Sequence, residues 1–560
     1  MSQHFDAIVV GAGAAGCVLA SRLSEHSAKT VFLLEAGEDT PPGCEPADIS
    51  DIYPASYFNK QYFWPALKAY WRDQTAGPAT HFPQACVMGG GGSVMGMIAL
   101  RGTPRDYDDW ERAGGRGWGW NDVLPFFKKL ENDWDFKGDL HGAAGPVPIR
   151  RLKREAWPPL ARAIEEYCRA QEIPYIADMN GDFRDGYGSV PMSNTPTRRA
   201  SSAICYLDAE VRRRPNLSIA TSALVTQILF EGTRAIGVSA EIGGRKQTFH
   251  ANEVIVCAGA IFSPALLMRS GIGAQESLRD LGIRIVADRP GVGANLQNHA
   301  VLYLAFHLRR AARQPAELHT APTVALRLSS GPPESGSDLY INIQSKTSWN
   351  ALGLQIGNFA PVLLRPLSQG SVALASADPR DMPRIQFNFM SDEHDMRRMV
   401  SVFHRTLSIM DFCRLRIPCG TSFPVRFGDR LRKLNQMSTL NRVKTTLIAS
   451  AFDIAPAVAD LVLAGFGGDR VSLRDLAADP ARLEAHIRDN IASVFHAAGT
   501  CRMGTADDRH AVVDAQAKVH GVDGLRVADA SIMPNVIAGN TNIPTIMIAE
   551  KISAAILESR

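Results

Sequence analysis

The chain has 560 residues, of which 45% are hydrophobic and 21% charged, with a formal net charge of +3. So small a balance gives no case for nucleic acid or an anionic membrane as the main partner, and the length points to two to four domains or one large domain with insertions. The nine cysteines are scattered with no paired C-x-x-C, which argues against a zinc or other metal site and against a disulfide framework; they read as reduced thiols.

The N-terminal MSQHFD runs almost at once into an apolar segment, leaving no room for a signal peptide, and no apolar run approaches the roughly 18 residues of a membrane span. The expectation is a cytoplasmic enzyme. Ala7 to Val10 suits a buried parallel strand, and Gly11, Gly13 and Gly16 follow it in G-x-G-x-x-G spacing before a helix-like segment to about Leu23. Gly11 allows the tight turn, Gly13 lets the backbone approach a pyrophosphate, and Gly16 lets the helix pack on the strand with its N-terminal N–H groups facing phosphate. A second apolar strand ends at Glu35, where a carboxylate can accept hydrogen bonds from a ribose diol. Strand, glycines, helix, strand and acid in this order predict a dinucleotide site; the dinucleotide itself stays open at this point.

Asp39 to Pro83, rich in proline and aromatics, reads as a lid or binding loop, or equally as surface packing or a subunit contact. In Val87 to Gly102, four consecutive glycines precede Ser93 and an apolar run, a second place where backbone can press on a flat or charged ligand. Pro104 to about Glu131 predicts a surface helix, a turn and a second helix with Asn121 as N-cap. Arg150 to Thr195 holds a helical pattern and a turn without evident chemistry. From Ser201 a helix, SSAICYLDAEVRRR, leads to strands in NLSIATSALVTQILFEG. Glu253 to Cys257 is then a strand, Ala258 and Gly259 a turn, and a helix runs towards Arg269; Pro290 to His299 closes the section as a turn-rich loop.

Between about Ala311 and Glu484, SDLYINIQ, GSVALASAD and PRIQFNFMS read as strands, with helices at Ser391 to Phe412 and Asn441 to Gly465. Towards the C-terminus, IASVFHAAGTCRMG puts His496 between a short apolar run and a small-residue turn. The closing segment gives a strand to Ala528, then Asp529, a loop with Asn540 and a helix from about Pro544. The other thirteen histidines read as ordinary core or surface residues.

The run Gly259, Ala260, Ser263, Pro264, Leu266, Leu267, Ser270, Gly271, Ile272, Gly273 resembles the second signature of the glucose-methanol-choline (GMC) oxidoreductases, and Val87 to Gly102 resembles their first. The resemblance spans essentially the whole chain and implies an α/β fold: a Rossmann-like FAD-binding domain from residues 1–155, 197–310 and 485–560, and a discontinuous α+β substrate domain of sheet plus helices from 156–196 and 311–484. It implies FAD contacts at Gly11, Gly13, Ala14, Ala15, Gly16, Glu35 and Ala36, at Met88, Gly90, Ser93, Met95, Gly96 and Met97, at Val225, Ala258 and Gly259, and at Asp529, Ala530 and Asn542. His496 matches the family's H-x-x-G-T motif, and Asn540 falls at the second catalytic position, where relatives carry His or Asn. Met95 stands where relatives usually have Asn, and Val94 where a covalently flavinylated member has His, so the FAD is expected to be non-covalent.

What the resemblance implies is oxidation of a primary alcohol, aryl or furanic, to the aldehyde: His496 removes the hydroxyl proton, Asn540 holds the oxygen, and hydride passes to flavin N5. The partners are then a small-molecule alcohol and oxygen or a quinone-like acceptor, with no nucleic acid. The rival reading within the same fold is a redox-neutral flavoprotein resembling hydroxynitrile lyases or photodecarboxylases.

Overall fold

The computed structural model describes residues 4–332, 336–426, 429–465 and 472–558. Strand β1 (His4–Val10) enters the interior as its sequence turns apolar, and Ala7 to Val10 are buried. After the turn at Gly11, helix α1 (Ala14–Ser24) runs back over the sheet, and β2 (Val31–Leu34) lies parallel to β1 with Ala7 opposite Val31. Both strands are covered on both faces, which is why they are continuous apolar runs without alternation. Strand β3 (Leu217–Ala220) extends the sheet in parallel beyond β2.

Strands β4 (Ala223–Glu231), β5 (Arg234–Ile242) and β6 (Arg245–Val256) form an antiparallel meander whose last strand bends into the parallel sheet. The first half of β6 pairs with β5. From His250 onward it pairs in parallel with β1, and Val254 to Val256 also pair in parallel with the C-terminal strand Leu525–Val527. The strand expected at Glu253 therefore begins eight residues earlier, in the hydrophilic RKQTFH half of an exposed hairpin that has no apolar run. Helix α2 (Gly259–Arg269) follows as expected.

Two helical expectations need correction. The helix after Ser201 is two short helices, Ser202–Tyr206 and Ala209–Arg212, because the Asp208 carboxylate accepts the N–H groups of Glu210 and Val211 and caps a new helix. The helix Trp120–Leu130 starts from Gly119, with Asn121 inside its first turn rather than at the N-cap.

A second sheet, antiparallel throughout its main path, holds β7 (Leu304–Leu308), β8 (Pro322–Leu328), β9 (Leu339–Gln344), β10 (Ile356–Leu363) and β11 (Cys419–Pro424). The order is β11-β7-β10-β9-β8, with Gly186–Ser189 beyond β8. Helix α3 (Glu393–Arg416) packs on β10, burying Met396, Met399, Val402 and Phe403 at helical spacing. Helices α4 (Asp429–Asn435), α5 (Thr439–Ile454) and α6 (Pro456–Ala464) follow β11. This sheet also takes in Ala300–Val301 and Ala492–Ser493, so the chain changes sheets before residue 310 and returns after residue 485. The aromatic stretch Asp39 to Pro83 is not one loop: Lys68–Tyr70 and Thr80–His81 pair in a small sheet with Ser371–Ala373 and Arg384–Gln386.

Near the junction with Gly186–Ser189 lies a buried ion cluster. His141 Nε2 bonds Asp178 at 2.8 Å, Arg151 bonds Asp133 at 2.9 Å and Asp178 at 2.8 Å, and Arg101 bonds Glu131 at 2.5 Å. Glu131, Asp133 and Asp178 thus face two guanidiniums and one imidazole, with Asp135 a further carboxylate 3.7 Å from Arg151, an acid excess that favours a protonated His141. Burial alone would push His141 down, but hydrogen bonds from its ring N–H groups to Asp133, Asp178 and Glu131 raise it to about 10. An unfolded histidine titrates near about 6.5, so the folded state holds an extra proton between these values and its stability falls as pH rises through that window. The melting temperature should decline from pH 7 to pH 10, with a flatter slope in His141→Gln; equal slopes in the two proteins would exclude His141 as the source.

Candidate active site

A cavity of about 870 Å³ is lined by both sheets, reaching from Val10 and Glu35 at one end to Tyr340 and Val362 at the other. Its size lies in the range of about 300–1,000 Å³ usual for cofactor and ligand sites. The three glycines after β1 divide the work. Gly11 has φ +96°, and a Cβ there would lie 2.6 Å from the Cys257 carbonyl oxygen; a Cβ on Gly16 would lie 1.8 Å from the Gly11 carbonyl oxygen. A Cβ on Gly13 meets nothing closer than 4.0 Å, so this residue is kept open towards the cavity. Gly90, with φ +54°, backs onto it: a Cβ there would sit 2.9 Å from Gly13 Cα. The two glycine loops therefore meet on one wall, each leaving room for a ligand's backbone-close approach.

The Glu35 carboxylate faces this end. It accepts the Ala12 N–H at 2.7 Å and the Gly37 N–H at 2.8 Å, which leaves lone pairs for a ligand hydroxyl. Burial raises its pKa against the lowering effect of those two N–H groups. Asp529 also lines the cavity, but its oxygens hold protein: Oδ2 accepts Gly259 N–H at 2.8 Å and Ser263 Oγ–H at 2.5 Å, and Oδ1 accepts Ser531 N–H. Asp529 thus also anchors the N-terminus of α2.

Gly11, Gly13, Ala14, Ala15, Glu35, Ala36, Gly90, Met95, Gly96, Met97, Val225, Ala258, Gly259, Asp529, Ala530 and Asn542 all line this cavity, as do His496 and Asn540. Gly16, Met88 and Ser93 are not among its lining residues. Gly16 is consumed by packing against Gly11, and Ser93 Oγ–H donates to the Met88 carbonyl at 2.7 Å inside the wall. Val94 is buried beside Tyr62, Phe63 and Val87, an alkyl group with no atom able to form a bond to a flavin.

At the other end, Asn540 Nδ2–H lies 3.0 Å from His496 Nε2, and His496 Nδ1 lies 2.8 Å from Nδ1 of His299. His496 follows Phe495, a non-glycine residue in the left-handed region at φ +65°, and this turn re-aims the chain at the end of Ala492–Ser493. Asn298 Oδ1 accepts the His496 N–H at 2.9 Å, while its amide donates to Ser493 Oγ at 2.6 Å. Burial first and the neighbouring His299 second hold His496 well below its ordinary value near 6.5; burial pushes His299 down to about 4. Both rings are therefore neutral at neutral pH.

His299 is the residue that sequence reasoning missed, having been grouped with the ordinary histidines. The signal available was its place in the run Gln297, Asn298, His299, three polar side chains together in a turn-rich loop. All three reach the C-terminal segments, Gln297 through the Pro534 carbonyl and the Val536 N–H. The aromatic stretch contributes Tyr57 and Trp64 to the cavity wall, with Trp64 against Phe262 at 4.6 Å and Tyr57 against Phe495 at 5.9 Å.

A βαβ nucleotide cradle joined by one cavity to a neutral, buried imidazole and an amide defines a dinucleotide-dependent oxidoreductase. The family model for GMC oxidoreductase matches residues 5–301 and its C-terminal counterpart residues 366–549, and the chain belongs to this family of FAD-binding flavoproteins. It is 38% identical to the 5-(hydroxymethyl)furfural oxidase of Methylovorus sp. (strain MP688), covering 99% of this chain and 98% of that one. It is 34% identical to the oxygen-dependent choline dehydrogenase of Ectopseudomonas mendocina (strain ymp), covering 99% and 94%. Among solved structures, pyridoxine 4-oxidase from Mesorbium loti superposes with a TM-score of 0.81 at 26% identity, over 99% of this chain and 100% of that one.

The glycine geometry separates two variants. Gly16→Ala should lose soluble expression or at least about 3 kcal/mol of stability, since its methyl has only backbone to displace. Gly13→Ala should fold with a melting temperature near that of the parent; equal damage from both would overturn this division of roles.

Proposed function

We propose that the protein oxidises neutral primary alcohols, aryl or furanic, to aldehydes, with His496 as base, Asn540 as hydroxyl ligand and FAD held without a covalent bond. The observation that carries this reading is the hydrogen-bonded row Asn540, His496, His299 at the wall of the cavity that begins at Glu35. The residues present fit FAD: the facing glycines at 13 and 90 leave backbone exposed, Glu35 keeps acceptor capacity for a ribose, and Val94 and Met95 offer no attachment. When bound, FAD supplies the two-electron acceptor for the carbinol hydrogen.

The row assigns the protons. An amide N–H donates, so Nε2 of His496 presents its lone pair and Nδ1 carries the proton, which it gives to Nδ1 of His299; His299 is then protonated at Nε2. A substrate hydroxyl that displaces the 3.0 Å hydrogen bond between Asn540 and His496 hands its proton to Nε2 while its oxygen accepts an N–H from Asn540, orienting the carbinol C–H. His299 acts through His496 as a positioning residue. It holds the reactive tautomer and accepts from the imidazolium once that forms.

Among the described residues lining the cavity, the carboxylates are Glu35 and Asp529, both at the nucleotide end and both engaged by backbone N–H groups. The His496 end is built from Tyr57, Trp64, Tyr303, Phe495 and amides; with no carboxylate there to neutralise a cation, and with Lys60, Arg432 and Lys433 lining the same cavity, it suits a neutral alcohol better than a quaternary ammonium. We assign residues 1–155, 197–310 and 485–560 to FAD binding and 156–196 with 311–484 to substrate binding, with the sheet exchanges at 300–308 and 492–493 marking where the two interleave. Oxygen or a quinone-like carrier then serves as final acceptor.

Benzyl alcohol or hydroxymethylfurfural should bleach the flavin anaerobically and choline should not. His496→Ala should keep its FAD but bleach about 10²- to 10⁴-fold more slowly; an unchanged rate, or turnover of a cyanohydrin without bleaching, would refute the assignment. Because His496 must be neutral and is held well below 6.5, the rate of reduction should be flat from pH 6.5 upward and fall only on further acidification. His299→Leu should lower that rate roughly tenfold with little change in KM, and His299→Gln should restore part of it; an unaffected His299→Leu enzyme would remove His299 from the mechanism.

A further inference from the structure

Arg199 is 1% exposed, and among the described residues no carboxylate lies within ion-pair distance of it; the equally buried Arg101, by contrast, meets Glu131. Arg199 meets backbone instead. Its Nε–H donates to the Ile49 carbonyl at 2.9 Å, and Nη1 donates to the carbonyls of Gly92 at 3.1 Å and Met95 at 2.6 Å. Nη2 is buried without a hydrogen-bond partner. Burial pushes its pKa down to about 10, with Asp51 and Asp48 opposing from a distance, so the group is charged at neutral pH. A guanidinium held dry and unpaired destabilises the fold that contains it. Bonds to three carbonyls do not require a charge, so the charge needs a reason of its own.

Its position supplies one. Gly92, Met95 and Gly96 line the cavity. Their loop runs along it from Gly90, which backs onto Gly13 in the nucleotide cradle, to Met97, which is buried with Val362 and Ala538 and packed on by Val494. Ala538 and Val494 each precede a site residue, Asn540 and His496, by two positions. A dinucleotide reaching from the cradle to the imidazole therefore lies along this loop. In a trans peptide the C=O and N–H point opposite ways, and no peptide here is cis. Since the Met95 carbonyl faces Arg199, the N–H of the same unit, that of Gly96, points away from it, and it meets no acceptor among the described residues. The guanidinium thus stands one peptide unit behind the cavity wall and polarises a free N–H on a cavity residue.

We propose that Arg199, acting through the Met95–Gly96 peptide, makes the bound flavin easier to reduce by stabilising the negative charge that hydride transfer brings to the ring. This rests on the reading of the cavity given above. The alcohol gives a proton to His496 and a hydride to the flavin, so the imidazole gains one positive charge and the ring one negative charge. The polarised N–H and the fixed cation behind it are in place before the hydride moves, and in a site of low dielectric neither has to reorganise. Arg199 is a positioning residue in this scheme: it orients and charges a piece of backbone and takes no proton.

The test is the midpoint potential of the FAD-loaded full-length chain at pH 6, read against a redox dye during reduction by dithionite. Arg199→Gln keeps a neutral donor for the carbonyls, and Arg199→Lys keeps a charge. Two-electron reduction should become about tenfold less favourable in Arg199→Gln, a fall of about 30 mV, and Arg199→Lys should lie between that variant and the parent. A potential in Arg199→Gln equal to the parent's, or one in Arg199→Lys no higher than in Arg199→Gln, would overturn the proposal, because hydrogen bonding alone would then account for the residue. Should Arg199→Gln lose its FAD, the parent carries the test. A cation that favours the negative ring disfavours its protonation, so reduction in weak buffer at pH 6 should take up fewer protons per two electrons than reduction of free FAD; equal uptake would count against Arg199. Neither measurement uses an alcohol, so its failure is distinct from failure of the His496 assignment, which is read by alcohol bleaching.

Discussion

The arrangement depends on one strand having two parallel neighbours. β6 takes β1 on one side and Leu525–Val527 on the other, so three segments more than two hundred residues apart in sequence end at the same edge of one sheet. Past that edge lie the glycine turn at 11–16, the turn at Ala258 and Gly259, and the segment from Asp529 to Asn540. The backbone ladder, rather than any side chain, brings a nucleotide cradle and an imidazole to one cavity. The Asp529 carboxylate then locks the C-terminal segment to the first turn of α2 through Gly259 and Ser263.

At the His496 end, burial sets the chemistry. A carboxylate beside His496 would raise its basicity and favour the imidazolium before substrate arrives. A second neutral imidazole does neither: it adds no charge, and in the proposed arrangement it accepts the Nδ1 N–H of His496. The row also explains how the segments 297–299 and 492–496 are held together, since Asn298 bridges the His496 backbone and the Ser493 hydroxyl while His299 reaches the ring.

Much of this was legible in the sequence where local pattern and chemistry coincide. Apolar runs with glycines at fixed spacing mark β1, β2 and α1 because both faces of a parallel strand are buried. His496 and Asn540 were legible through the family motif. What was hidden had no local signature. β6 begins among polar residues because half of it is an exposed hairpin; Asp208 starts a helix inside what reads as one; LAFHL at 304–308 joins the second sheet without a break in composition. Ser93 bonds the Met88 carbonyl, and His299 meets His496 across 197 residues. Contacts of that range come from topology, which no window of neighbouring residues contains.

The double partnership of β6 also governs how the chain is made. At roughly 5–20 residues per second, β1 leaves the ribosome some 10–50 seconds before β6 exists, and the strand ending at Val527 arrives later still. Until then β1 can pair with β2 on one edge while its other edge stays open, and the long-range parallel pairing that closes it is slow to form. Synthesis of this enzyme thus includes an interval in which the edge of β1 that β6 will cover stands unpaired.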